Sequence, residues 1–357
     1  MFQYKLIKDQ LVGLLGKLEV GERLPSRTTL CRALCTTRTT LDRAIAELVS
    51  EGMLSSRKGS GTYSTGLLDG RNPSVENWGV IVPSADVDVF PDLIQSIRSF
   101  ADANGINTIV CDTQSDAETQ ERFIKKLLAS GVSGFLIVPI VSKTAAMSAR
   151  LYRALLQSNI PFVFCNREVE GIDVPTVKST DFYGGYVATK HLIGQGYRRI
   201  AYIATQKYQT SMERCQGYIN ALVEQGMEID RARIYLPLEP HARCYYQKAV
   251  ELLRSPNPPD AIFCFNDGVA EEIYRAIRDC GLRVSDDVGV MGYDNTKKAD
   301  DLSPSLTSMD YQSEAIGKMA SELLWKLTHG IPCASDFQSY LFQPTLIARE
   351  SCIGPRK

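Results

Sequence analysis

Side chains that can bind hydroxyl groups recur in this sequence directly after short apolar runs. Three of these runs are followed by the pairs Asn166–Arg167, Asn266–Asp267 and Asp294–Asn295. Each carboxylate or amide can bond two neighbouring hydroxyls, and an aromatic ring such as that of Phe90 can cover the apolar face of a sugar. Such a set suits a polyol better than a phosphate or a lipid. The alternative is that these residues cap helices and turn loops.

A second group of candidate residues is basic and lies near the N-terminus. Residues 1–65 hold ten basic and six acidic side chains, whereas the rest of the chain holds 30 basic and 35 acidic ones. A basic region at one end of an acidic chain is typical of a nucleic-acid contact. Arg38, Thr39 and Thr40 begin a helical pattern, from which an arginine can bond a guanine edge in the major groove. The alternative is an ordinary solvated helix face.

The sequence lacks the motifs of the common catalytic and metal sites. It has no Gly-x-x-x-x-Gly-Lys loop for nucleoside triphosphates, no Gly-x-Gly-x-x-Gly for hydride chemistry and no Gly-x-Ser-x-Gly nucleophile turn. The three histidines are far apart, and Cys31 and Cys35 have no second pair of zinc ligands nearby. The sequence therefore predicts neither an enzyme nor a bound cofactor or metal.

The elements that must position the basic residues form a small N-terminal module. Apolar residues at helical spacing predict a helix over residues 4–18, which Gly21 ends. Ser26 or a neighbour can cap a second helix, and a third carries one apolar stripe from Leu41 to Leu48. A short strand pair is predicted over residues 53–63, around a tip with Arg57, Lys58 and two glycines. Three helices followed by a hairpin describe a winged helix-turn-helix.

The hydroxyl-binding candidates belong to a second, larger region. Gly, Ser, Asn and Pro are frequent over residues 64–77, which indicates a linker. Beyond it, apolar runs alternate with helical patterns, as in parallel sheets covered by helices on both faces. The expected fold class is α/β, with a winged helix-turn-helix at residues 1–65, a linker at 66–76 and a two-lobed, doubly wound domain at 77–357. The predicted strands are Trp78–Val82, Thr108–Cys111, Phe135–Val138, Phe162–Cys165, Ile200–Ile203, Ala261–Cys264 and Val288–Met291.

Composition limits the classes of protein further. The chain has 357 residues, of which 44% are hydrophobic and 23% charged, so it can bury real cores. A net charge of −1 excludes a uniformly basic nucleic-acid coat. No apolar run approaches the ~20 residues that cross a bilayer, and the first residues do not form a signal peptide. Ten scattered cysteines predict mostly buried, free thiols in a reducing compartment, and hence a cytoplasmic protein.

Several N-terminal motifs occur in a fixed order, namely Gly21–Ser26, Thr37–Leu41, Glu51–Gly52 and Gly59–Thr62. In this order and spacing they resemble the GntR-type DNA-binding domain. The resemblance implies DNA contacts by eight residues: Arg27, Thr37, Arg38, Thr39, Thr40, Arg43, Lys58 and Gly59. The chain departs from the family pattern at two positions. Arg27–Thr28 stands where the family usually has Glu-Arg, and Asp42 stands where an arginine is common.

The larger region carries its own ordered motifs, which are Asp181–Gly185, Gly196–Ala201, Arg214–Tyr218, Phe265–Asp267, Val290–Asn295 and Pro344–Ser351. They resemble the effector domain of LacI/GalR-type regulators, which is similar to periplasmic sugar-binding proteins. The resemblance implies that Arg214, Asn266 and Asp294 hold sugar hydroxyls, and that Phe90, Arg167 and Tyr311 complete the site. Tyr311 stands where many relatives have a glutamine, with Gln312 beside it. His241 and Arg243 lie where relatives often place a ligand-facing side chain, although both can equally be surface residues.

The combination of both regions resembles the arabinose-responsive repressors of Gram-positive bacteria. It implies a sequence-specific transcriptional regulator, a repressor of carbohydrate-utilisation genes controlled by a sugar bound between two lobes. The expected partners are operator DNA, the sugar effector and a second copy in a homodimer, without a membrane partner. The alternative is a sugar-binding protein of a transport or sensing system, which the large region alone would support.

Overall fold

The chain folds into two compact units, residues 1–76 and 77–357, each with its own hydrophobic core. The computed structural model describes residues 2–15, 18, 20–34, 36–57, 60–65, 76–85, 89–140, 151–153, 155–205, 209–238, 244–331 and 339–354.

The first unit contains three helices and a hairpin, which confirms the predicted winged helix-turn-helix. The apolar residues that recur at helical spacing are buried together in one cluster, which includes Leu11, Leu30 and Leu41. The Ser26 hydroxyl accepts a hydrogen bond from the Thr29 amide, 3.2 Å away, and so caps the second helix. The elements are α1 (Phe2–Leu15), α2 (Arg27–Ala33), α3 (Arg38–Ser50), β1 (Leu54–Arg57) and β2 (Gly61–Ser64), the two strands pairing antiparallel. The predicted helix end was wrong at Leu18, which lies in a bend, and residues 16 and 17 of that prediction lie outside the described residues.

The second part of the chain contains two parallel sheets, one in each of two lobes. The strands are β3 (Glu76–Val82), β4 (Ile106–Asp112), β5 (Gly134–Ile137), β6 (Phe162–Cys165), β7 (Thr176–Ser179), β8 (Ile200–Ile203), β9 (Ile234–Tyr235), β10 (Ala261–Cys264), β11 (Gly289–Met291), β12 (Ser308–Asp310), β13 (Ser339–Phe342) and β14 (Thr345–Ile347). A six-stranded sheet has the order β13-β7-β6-β5-β3-β4, and a four-stranded sheet has the order β11-β10-β8-β9. Their apolar strands are covered by helices, which confirms the α/β fold class.

Helices connect most of these strands. They are α4 (Phe90–Ala103), α5 (Ala117–Ala129), α6 (Asp181–Gly194), α7 (Gln209–Glu224), α8 (Cys244–Leu253), α9 (Asp267–Asp279), α10 (Lys297–Asp301) and α11 (Ser313–Thr328). Residues 151–153 and 155–157 are helical too.

The chain crosses between the two lobes three times, after β7, after β12 and after β13. At these crossings β12 and β14 pair antiparallel, and the Thr180 amide donates to the Phe342 carbonyl oxygen at 2.9 Å. The Gln312 side-chain amide donates to the Thr345 hydroxyl at 3.2 Å. The three crossings therefore lie side by side and form a hinge between the lobes.

Close packing of α6 on α7 requires glycine at their contact. A Cβ atom on Gly185 would lie 2.2 Å from the Arg214 carbonyl oxygen, and one on Gly217 would lie 2.1 Å from the Phe182 carbonyl oxygen. Both distances are shorter than any real contact, so a side chain at either position would force the helices apart. This close approach brings the start of α6 against the side chain of Arg214.

The structure bears on two predictions from composition, those on the cysteines and on membrane-spanning segments. Among the described residues seven cysteines are free thiols, and five of them are buried. In the same part of the chain, no helix combines the length and apolar character needed to cross a bilayer.

Candidate functional site

All six residues predicted to bind an effector line one cavity between the lobes. They are Phe90, Arg167, Arg214, Asn266, Asp294 and Tyr311. The cavity has a volume of about 50 Å³, and Val89, Asn166, Thr210 and Phe265 complete its wall. Most of these residues follow the carboxyl ends of parallel strands, where open α/β sheets bind ligands. The six-stranded lobe supplies Phe90 and Arg167, the four-stranded lobe supplies Arg214, Asn266 and Asp294, and Tyr311 lies at a crossing.

Arg214 is the central charge of the cavity and is only 2% exposed. Its Nε donates to Asp181 Oδ1 at 2.7 Å, and its Nη2 lies 3.4 Å from Asp294 Oδ1. Its Nη1 donates to the Phe265 carbonyl oxygen. A charge this deeply buried requires such partners, because an unpaired ion in the interior is very costly. The guanidinium is thereby held in one orientation against the cavity.

Aromatic rings surround the same guanidinium. The Arg214 Cζ atom lies 3.5 Å from the centre of the Tyr293 ring and 4.5 Å from that of Phe265. Tyr311 lies 5.7 Å away, and its hydroxyl donates to the Asn166 carbonyl oxygen at 3.3 Å. Ring faces attract a cation and exclude water from it. Phe265 and Tyr311 also give the cavity apolar surface beside its polar groups.

Asp181 is a buried partner of Arg214, and no role was predicted for it from the sequence. It is the first residue of α6 and is 2% exposed, so its carboxylate is held in the interior by Arg214. Burial raises the pKa of Asp181 to about 6, and the attraction of Arg214 offsets only part of that effect. The motif Asp181–Gly185 was the available signal, since its glycines permit the close contact with α7.

This raised pKa predicts how stability depends on pH. Because the folded chain holds the proton of Asp181 more tightly than the unfolded chain, the stabilisation is complete below about pH 4 and is lost as pH rises through 6. Between pH 4 and pH 7, the free energy of unfolding of the native protein should fall by about 3 kcal/mol relative to that of Asp181→Asn. Urea titrations of both proteins across this range measure the difference. Parallel profiles would show that Asp181 keeps its ordinary pKa.

Asp267 positions the loop that carries Asp294. Its carboxylate accepts hydrogen bonds from the Thr296 amide at 2.7 Å and from the Ser308 hydroxyl at 2.7 Å, and its own amide donates to the Tyr293 carbonyl oxygen. Burial raises the pKa of Asp267 to about 6, although these hydrogen bonds lower it. Asp294 has a φ of 95°, a left-handed conformation that aspartate and asparagine tolerate better than most residues.

Asn166 and Asn266 supply neutral polar groups to the cavity. Asn266 Oδ1 accepts from the Val269 amide at 2.9 Å and caps α9, so the capping interpretation and the cavity interpretation both hold for this residue. Asn166 is 5% exposed, and among the described residues its Oδ1 has no hydrogen-bond partner. A buried acceptor without a partner is costly, so a donor from a bound molecule would stabilise it.

The start of α3 forms the candidate nucleic-acid interface. Arg38, Thr39 and Arg43 are exposed there. The Thr37 hydroxyl accepts from the Thr40 amide at 3.3 Å and contacts the Thr40 hydroxyl at 2.9 Å, so both threonines serve the helix cap. This surface can present arginine and hydroxyl groups to a major groove.

Arg27 is less available to DNA than the residues of α3 that are predicted to contact it, because its side chain is bonded within the protein. Its Nε donates to Asp42 Oδ1 at 3.2 Å and its Nη1 to the Thr62 hydroxyl at 3.0 Å. These bonds join α2 to α3 and to the wing strand β2. Lys58, Gly59, His241 and Arg243 lie outside the described residues. The part of the chain that the structure describes contains no group of three His, Cys, Asp or Glu side chains able to hold a metal ion.

Two family models match the chain. The bacterial regulatory proteins of the gntR family match residues 4–63, and the periplasmic binding protein-like domain matches residues 189–352. The chain therefore carries a GntR DNA-binding domain followed by a periplasmic-binding-protein-like domain, and it is a DNA-binding transcriptional regulator.

Relatives with known names agree with this class. The arabinose metabolism transcriptional repressor of Geobacillus stearothermophilus is 26% identical over 98% of this chain and 97% of its own length. The transcriptional regulator CelR in complex with cellobiose has a TM-score of 0.67 and 25% identity, covering 88% of this chain and 90% of that one. A LacI family transcriptional regulator from Enterococcus faecium with bound ribose has a TM-score of 0.67 and 25% identity, covering 79% of this chain and 100% of that one. These relatives are regulators rather than enzymes.

Proposed function

We propose that this regulator represses genes of carbohydrate use, and that a sugar bound in the cavity between the lobes controls its affinity for operator DNA. The observation that carries the proposal is the convergence of Phe90, Arg167, Arg214, Asn266, Asp294 and Tyr311 on that one cavity. The ribose and cellobiose complexes of the structural relatives support the choice of a sugar. The GntR domain favours this function over that of a transport binding protein.

The charges of the cavity favour an uncharged effector. Arg167 and Arg214 line it together with Asp294, and Asp181 lies behind Arg214 at 2.7 Å, so two positive and two negative charges balance. A phosphate or carboxylate ligand would need an excess of positive charge there. Hydroxyl groups, by contrast, can both donate to carboxylates and to Asn166 Oδ1 and accept from guanidinium groups.

Sugar binding can act through the hinge. Residues of both lobes line the cavity, so a sugar held there contacts both of them. A ligand that contacts both lobes changes their equilibrium by its differential affinity for the two arrangements. A coupling of about 1–3 kcal/mol between the two sites would change DNA affinity roughly 5- to 150-fold.

A thermal-shift screen of the full chain against mono- and disaccharides tests the effector. A sugar at 100 times its dissociation constant should add about 2.7 kcal/mol to the free energy of unfolding. A stabilising sugar should then change the affinity for operator DNA in the same preparation. Stabilisation by sugar phosphates or nucleosides alone would contradict a neutral sugar effector.

The DNA contact is tested at Arg38. Operator sequences can be obtained by selecting duplexes from a random library with the full chain. Because a bidentate arginine–guanine contact contributes about 1–3 kcal/mol of discrimination, Arg38→Ala should weaken binding to the selected duplex roughly 5- to 150-fold. Fluorescence anisotropy measures the loss. Unchanged affinity would exclude Arg38 as a base-reading residue.

The active form proposed here is a homodimer acting in the bacterial cytoplasm. Two copies related by a twofold axis would place two winged helices on the half-sites of a palindromic operator. Light scattering of the protein, free and bound to the selected duplex, tests the stoichiometry, and a single copy per duplex would contradict it.

A further inference from the structure

A cluster of three charged side chains lies at the start of the recognition helix α3. Asp42 Oδ1 accepts a hydrogen bond from Arg27 Nε at 3.2 Å, and Asp42 Oδ2 lies 3.7 Å from Arg38 Nε. One carboxylate therefore uses both of its oxygens on guanidinium groups from two different helices. Arg27 and Asp42 are also the positions at which the chain departs from the GntR pattern, and the structure shows that the two departures contact each other.

The two arginines of this cluster differ in the exposure of their side chains. The Arg27 side chain is 28% exposed and is also bonded to the Thr62 hydroxyl in β2, at 3.0 Å. The Arg38 side chain is 79% exposed and projects from the first residue of α3. Asp42 is therefore anchored by Arg27 on one side and contacts a projecting Arg38 on the other.

Stability accounts for only a small part of the role of Asp42. Ion pairs between exposed side chains contribute little to folding, and α3 is already held by the Thr37 cap and by its buried face, which includes Leu41, Ala44 and Leu48. A carboxylate on this surface also repels the phosphate backbone of DNA, which lowers affinity for any sequence. Asp42 can, however, orient the side chain of Arg38, because a long arginine side chain otherwise samples many rotamers.

We propose that Asp42 is a positioning residue for operator recognition. Anchored by Arg27, its carboxylate holds the guanidinium of Arg38 in the orientation that donates two hydrogen bonds to a guanine edge. Operator preference then depends on Asp42 through Arg38. This inference rests on the proposed DNA contact of Arg38.

The variant Asp42→Asn tests the proposal, since it keeps the shape of the side chain and removes its charge. Binding of the full-length variant is measured by anisotropy on the duplex selected by the native chain, on the same duplex with each guanine replaced in turn, and on an unrelated duplex. We expect the affinity of the variant for the selected duplex to fall about 10-fold. One of the guanine replacements that weaken binding of the native chain should no longer weaken binding of the variant. Affinity for the unrelated duplex should stay the same or rise, because a negative charge has been removed.

Glu47→Gln is the matched control. Glu47 lies on the same helix, but its carboxylate pairs with Lys8 at 3.0 Å rather than with Arg38. The control removes the same charge and should leave discrimination between duplexes unchanged. Melting temperatures of both variants show whether either has lost its fold.

The possible outcomes separate this inference from the function on which it rests. Equal gains of affinity for all duplexes in Asp42→Asn would mean that Asp42 acts only through its charge, and would overturn the proposal. Unchanged discrimination would overturn it as well. If the native chain selects no sequence at all, the proposed regulatory function itself fails.

Discussion

Asp294→Asn is expected to remove the response to the effector while leaving affinity for operator DNA intact. The Asp294 side chain is 6% exposed, lines the cavity and lies 3.4 Å from the Arg214 guanidinium. Asparagine keeps the volume and tolerates the left-handed φ of 95°, so the loop should retain its shape. A hydrogen bond to a charged group contributes about 1.5–3 kcal/mol, so affinity for the sugar should fall roughly 10- to 150-fold.

Calorimetric titration with the sugar found by thermal shift, together with operator binding in its presence and absence, measures this result. Asp300→Asn serves as the control. It removes the same charge from the same lobe, at an exposed residue that pairs with Arg349 at 2.9 Å outside the cavity. The site assignment would be wrong if Asp294→Asn bound the sugar as tightly as the control.

Arg214→Met is expected to lower the free energy of unfolding by about 3–5 kcal/mol, because it leaves buried carboxylates without their cation. Asp181 is the more affected partner, since it is 2% exposed and its 2.7 Å contact with Arg214 Nε is lost. Methionine fills most of the space of the arginine stem and leaves no large cavity. The cost therefore reports on charge rather than on packing.

The double variant Arg214→Met with Asp181→Asn separates these two causes. Removing both members of a buried ion pair is often close to neutral, so the double variant should regain much of the lost stability. Urea denaturation of the native chain, both single variants and the double variant completes the cycle. Additive losses in that cycle would show that Asp181 and Arg214 are not coupled.

The elements of this protein were largely predictable because their signals are local. The apolar runs Phe162–Cys165, Ile200–Ile203 and Ala261–Cys264 match the strands β6, β8 and β10 at both ends. Each run is four residues long, apolar and fully buried, which is typical of a parallel strand covered on both faces. The end of α1 was placed too late because Leu18 continues the apolar spacing of the helix, although it lies in a bend.

Part of the cavity was also predictable, for a topological reason. Parallel strands end at the same edge of a sheet, so the residues that follow them meet without any knowledge of long-range packing. Four of the residues that line the cavity follow strand ends and were predicted for this reason, namely Asn166, Arg167, Asn266 and Asp294.

The sequence by itself thus determined the winged helix-turn-helix, seven of the twelve described strands β3–β14 and the cavity residues that follow strand ends, because periodicity and strand ends are local properties. Arg214 and Tyr311 were expected only from the resemblance to a known effector domain. Only the tertiary structure decided which charges pair. Asp181 and Arg214 are 33 residues apart, and Arg27 and Asp42 are 15 apart, beyond the reach of any helical repeat. Their contacts depend on how whole helices pack, as α6 does on α7 where Gly185 and Gly217 allow the backbones to touch. Helix packing is set by side chains distant in sequence, which no local pattern records.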